Sequence, residues 1–77
     1  MDKVNIQAFW DDDACVWVAT SDDVPGLATE AENIDKLVAK LKIMIPELLD
    51  ANGHADAADV TFQLNTQLTA IAHRHTA

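Results

Sequence analysis

Between residues 3 and 10, KVNIQAFW, apolar and polar positions alternate: Val4, Ile6, Ala8 and Trp10 lie on one side, Lys3, Asn5 and Gln7 on the other. A period of two is that of a half-buried strand. Asp11, Asp12 and Asp13 interrupt it, and aspartate favours turns because its side chain bonds nearby backbone groups. The next run, Ala14 to Thr20 (ACVWVAT), is apolar on both faces, with Val16 and Val18 on one and Cys15, Trp17 and Ala19 on the other. A strand covered on both sides sits inside its sheet. The two runs predict a hairpin with the aspartates at its tip and Cys15 as a buried structural thiol.

Ser21 to Gly26 form a corner. Pro25 has no N–H and a fixed φ, so it stops the ladder, and Gly26 accepts backbone angles that other residues avoid. A short third strand over Leu27 to Ala31 follows. Asn33 reads as a helix N-cap, with Asp35 in the first turn favoured by the helix dipole. Apolar residues then recur at Ile34, Leu37, Val38, Leu41, Ile45, Leu48 and Leu49, a single stripe for packing on a sheet. Glu32 and Lys36 make a supporting i,i+4 pair, and Asn52-Gly53 ends the helix. Pro46 lies inside it, removes the bond to the Lys42 carbonyl and predicts a kink. On the outer side, Ala39, Ile43 and Pro46 make a small apolar patch where solvent is expected.

His54 to Asp59 is a linker. Asp59 to Ala72 (DVTFQLNTQLTAIA) alternates again, with Val60, Phe62, Leu64 and Leu68 opposite Thr61, Gln63, Asn65 and Gln67. One reading is a long fourth strand; the other ends the strand near Asn65, caps with Thr66 and forms a short helix carrying Leu68, Ile71 and Ala72. The fold class is therefore α+β, in the order β-β-β-α-β: an antiparallel three-strand meander, one long helix packed on the sheet, and a fourth strand parallel to strand one. The expected sheet order is 3-2-1-4.

Charge narrows the function classes. Five Lys and Arg face thirteen Asp and Glu, a net charge of -8 and a pI near 4.4. Nucleic-acid binding draws much of its affinity from cations at phosphates, so direct nucleic-acid binding is not expected, and an anionic membrane surface is disfavoured for the same reason. An acidic chain suits a basic partner. A single cysteine excludes an internal disulfide, and no apolar run has the length of a membrane span. A cytoplasmic single domain over residues 1–77, without a separate DNA-binding domain, is the expectation.

The candidate chemistry is thin. Asp11-Asp12-Asp13 lacks the spacing of a calcium loop. Asp22-Asp23 are adjacent and point apart, which suits a turn better than an acid/base pair. His54, His73 and His75 do not make a closed zinc site, and two glycines, Gly26 and Gly53, build no phosphate loop. The expectation is no enzyme, no cofactor and no metal. What remains is surface: a helix on one side of a sheet leaves the other side open, and Phe9 with Val16 and Val18, or with Cys15 and Trp17, needs a cover. Phe9, Val16 and Val18, together with Ala39, Ile43 and Pro46, are the candidate interface, and they point to a homodimer.

The ordered features, Trp17-Val18-Ala19-Thr20, then Asp23-Val24-Pro25-Gly26, then Leu27-Ala28-Thr29-Glu30 and the helix after Asn33, resemble the HicB family of bacterial antitoxins. The resemblance spans roughly residues 3–66 and is greatest to single-domain, uncharacterised HicB-like proteins. It implies a truncated ribonuclease H-like fold, a non-enzymatic protein-binding role, and as partner a small basic HicA-like toxin, an mRNA interferase. Full-length HicB antitoxins add a C-terminal DNA-binding domain, for which the few residues after the fourth strand leave no room. A second reading is a structural or small-ligand-binding homodimer domain, for which a pocket lined by Trp10 or Trp17 would speak.

Overall fold

The computed structural model describes residues 3–53 and 59–75. Alternation in the first run and the short second run give β1 (Val4–Asp11) and β2 (Val16–Thr20), followed by β3 (Ala28–Ala31), helix α1 (Ile34–Ala51) and β4 (Phe62–Gln67). The sheet order is β3-β2-β1-β4, with β1/β2 and β2/β3 antiparallel and β1/β4 parallel. This is the expected α+β architecture and strand order. The linker from His54 falls largely on residues 54–58, outside the described residues.

Helix α1 covers one face of the sheet. Val4, Ile6 and Ala8 of β1, Ala19 of β2 and Ala31 of β3 meet Leu37, Leu41, Ile45 and Leu49 of the stripe, all buried. Trp17, Phe62 and Leu64 pack partly buried against this core. Small residues on the strands let the helix approach, and its branched side chains fill the space between the layers. The helix begins where Asn33, in extended conformation, accepts a hydrogen bond from the Lys36 N–H at 2.8 Å. It runs unbroken through Pro46 and ends at Asn52, with Gly53 at φ +85°.

Three expectations are corrected. β2 starts at Val16, not Ala14, because residues 12–15 are spent on the hairpin turn. Cys15 closes that turn with φ +56° and is exposed, so it is not a buried thiol. At the other end, β4 stops at Gln67, and residues 68–75 form neither the continued strand nor the short helix. β1 reaches Asp11, but its pairing to β4 ends at Phe9↔Gln67, so the last residues leave the sheet. From Thr66 to His75 every residue is exposed. The molecule measures 61 × 23 × 19 Å with a radius of gyration of 15.5 Å, against about 11.5 Å for a compact chain of this length. The C-terminal residues are an arm standing off the body.

Candidate functional site

The corner Asp23-Val24-Pro25-Gly26 is built as a structural staple. Pairing of β1 with β2 ends at Gln7↔Thr20, which leaves the backbone of Asn5 without a β2 partner on that side. Side chains of the corner take over: Asp23 Oδ2 accepts from the Asn5 N–H at 2.8 Å, and Ser21 Oγ donates to the Asn5 carbonyl at 2.5 Å. Ser21 Oγ in turn accepts from the Asp23 N–H at 3.0 Å. Val24 is fully buried, and its carbonyl accepts from the Leu27 N–H at 3.1 Å. Pro25 and Gly26 at φ +85° are the two central residues of that turn, the combination a type II turn requires. Asn52 at the helix C-terminus donates to the Pro25 carbonyl at 3.3 Å, tying helix end to corner. Every motif residue therefore has a folding role.

The hairpin tip is also occupied by its own bonds. Asp11 Oδ1 accepts from the N–H groups of Asp13 and Ala14, and Asp12 accepts from Trp10 Nε1 at 2.6 Å. Trp10 and Trp17 pack edge to face across the hairpin with ring centroids 5.5 Å apart. Among the described residues no group of acids, histidines and cysteine converges in a metal-binding arrangement. His73 and His75 lie exposed on the arm; His54 lies outside the described residues. At the start of the helix, Lys36 pairs with Glu32. The hydrogen bond from Lys36, reinforced by its charge, holds the Glu32 carboxyl below its ordinary range.

Of the two coverings open to the sheet's free face, the register selects Phe9, Val16 and Val18. Phe9 pairs with Val18 and Asp11 with Val16, while Val18 pairs with Glu30 on β3. Because alternate residues Val4, Ile6 and Ala8 are buried under the helix, Phe9, Val16 and Val18 share the opposite face. Phe9 is 49% exposed. An apolar centre thus lies between two acids, Asp11 and Glu30, with Gln67 completing the row beside Phe9. Ala39, Ile43 and Pro46 are exposed on the outside of α1, with Ile43 at 64%. They are on the far side of the helix layer, so the six candidate residues make two patches, not one.

Pro46 has a second neighbour set. With Leu41 and Ile45 it forms one wall of a groove of about 180 Å3, whose other wall is Val60 and Phe62 at the start of β4. Lys42 and Asp59 are its charged members. Neither tryptophan lines it. Ser21 is expected in the corner and Asn52 at the helix end, where both lie, but their bonds to Asn5 and Pro25 span 16 and 27 residues and have no local signal in the sequence. Asn5 reads in the sequence only as a polar position of β1.

The comparisons with known proteins agree with this fold. The crystal structure of hypothetical protein TTHA1013 from the extremely thermophilic bacterium Thermus thermophilus is similar to this chain, with 48% sequence identity and a TM-score of 0.79. The similarity covers 91% of this chain and 99% of that one. No curated protein matches. The family model described as a domain of unknown function, DUF1902, matches residues 3–74, and the chain belongs to that family.

Proposed function

We propose that this chain is a non-catalytic protein-binding module of the HicB-like antitoxin type, working as a homodimer that captures a small basic protein. The observation that carries the reading is the open sheet face. Phe9, Val16 and Val18 form an apolar centre that the helix does not cover, flanked by Asp11 and Glu30 in a molecule of net charge -8. An apolar centre desolvates on contact, while the surrounding negative field speeds the encounter with a cationic partner and rejects anionic ones. A basic HicA-like mRNA interferase has the complementary charge, and neither direct nucleic-acid binding nor a cofactor enters this role.

Calorimetric titration of the chain with a HicA-like toxin, combined with an RNA-cleavage assay, tests the reading. The expected outcome is saturable binding that weakens as salt rises, loss of cleavage, and at least tenfold weaker binding for Phe9→Asp. Absence of both binding and inhibition removes the antitoxin role.

A further inference from the structure

The two edges of the sheet are treated differently. β3 is four residues long, carries Glu30, and its Glu30 carbonyl is taken by Lys40 Nζ at 2.6 Å. Short length, charge and a covering side chain are the devices that keep an edge from pairing with another chain. β4, at the other edge, is six residues long and carries no charge, and among the described residues no side chain bonds its backbone. From Val60 to Ala72 the sequence contains no Asp, Glu, Lys or Arg and no Pro. In a chain of net charge -8, two copies meeting along this stretch bring no like charges of its own together.

The backbone fixes how two such edges can meet. The Val4 N–H donates to the Thr61 carbonyl at 2.9 Å, so odd-numbered residues of β4 turn their backbone groups to β1. Phe62, Leu64 and Thr66 turn theirs to the open edge. Antiparallel pairing of two β4 edges forms hydrogen bonds only when outward residues oppose outward residues, so even positions face even positions. Residues opposite one another share a face, and Phe62 and Leu64 share the helix face through their pairing with Val4 and Ile6. Both helices then lie on the same side of a continuous sheet. With Leu64 opposite its own copy, Leu68 falls opposite Val60 of the second copy; with Asn65 at the centre, it falls opposite Phe62. In both registers Leu68 arrives at the groove walled by Leu41, Ile45, Pro46, Val60 and Phe62. That groove, about 180 Å3, exceeds the roughly 150 Å3 that admits a benzene-sized group.

The arm is in position for this. Leu68 is 61% and Ile71 79% exposed, and the arm leaves the body where β4 ends. We propose that two copies of this chain join antiparallel along their β4 edges, each extending its arm over the other so that Leu68 fills the groove between α1 and β4. This deepens the homodimer of the reading above and is independent of the basic partner.

Size-exclusion chromatography with light scattering on the full chain tests it. The expected mass is twice 8.4 kDa for the parent chain. Thr66→Pro, which removes an outward N–H while leaving the bonds to β1, and Leu68→Asp should each give the monomer mass with an unchanged circular dichroism spectrum. Phe9→Asp, on the other face, should remain a dimer while losing the basic partner, which separates failure of the interface from failure of the antitoxin role. Should Thr66→Pro unfold, Leu68→Asp decides alone, since Leu68 lies outside the core. A monomeric parent chain, or a dimer that survives Leu68→Asp, overturns the proposal.

Discussion

Asn5 is where β1 outruns β2, and the chain solves the resulting loss of backbone partners with one acid and one hydroxyl. Asp23 and Asp22 are adjacent and both exposed, yet only Asp23 bonds the Asn5 N–H. A hydrogen bond to a charged acceptor contributes about 1.5–3 kcal/mol, less when solvent competes. Asp23→Ala should therefore destabilise by about 1 kcal/mol, while surface changes such as Asp22→Ala stay within about 0.5 kcal/mol; urea unfolding of the two variants distinguishes them. Gly26 illustrates a different limit. A Cβ there would meet Leu48 Cδ2 at an ordinary 3.8 Å, so space is available, but φ is +85°. A β-branched residue at that angle costs on the order of 1–3 kcal/mol. Gly26→Val should lower stability by that amount in the same measurement, and more than Asp22→Ala. The Pro-Gly dipeptide advertised its turn because its constraint is local. Cys15 did not advertise its exposure: its φ of +56° is imposed by closing the hairpin, whereas its apolar neighbours in sequence suggest a strand.

Among the elements, the helix was legible from end to end, because its cap, stripe and terminator all act within four residues. Asn33 caps through the Lys36 N–H, so Asn33→Ala should cost about 1 kcal/mol, read from thermal or urea unfolding. The adjacent Glu32–Lys36 pair gives a pH dependence with a defined sign. Its folded-state pKa lies below the unfolded one, so its stabilisation is present above the unfolded value and is lost as pH falls through the folded value. The melting-temperature difference between the parent chain and Glu32→Gln should accordingly shrink on acidification and also in high salt, since both side chains are well exposed. A difference that grows at low pH would contradict this assignment. β4 was half legible. Alternation persists in the sequence to Leu68, but β1 offers it no pairing beyond Phe9↔Gln67. β1 itself runs on to Asp11, so β4 ends where the two strands diverge, a tertiary fact that the alternation along the sequence does not carry.

At the scale of the whole molecule, the question is how so few buried residues hold 77 together. Among the described residues the core contains eleven buried apolar side chains, three of them alanine, and a domain near this size is marginal by itself. Association supplies stability by mass action, so a chain whose arm and β4 edge are covered only in a dimer has a melting temperature that depends on its own concentration. A hundredfold concentration increase changes the stability of such a dimer by about 2.7 kcal/mol, or about 1.4 kcal/mol per chain. For a domain of this length that corresponds to a rise of roughly 5–10 °C. Differential scanning fluorimetry across that range, following Trp10 and Trp17, should detect it. Leu68→Asp should melt at one temperature whatever the concentration, because Leu68 makes no contribution to the buried core of its own chain. Phe9→Asp should keep the concentration dependence of the parent, because its face lies away from the β4 edge. A parent chain whose melting temperature is flat over the hundredfold range would mean that the arm adds nothing to folding, and that the marginal core suffices unaided.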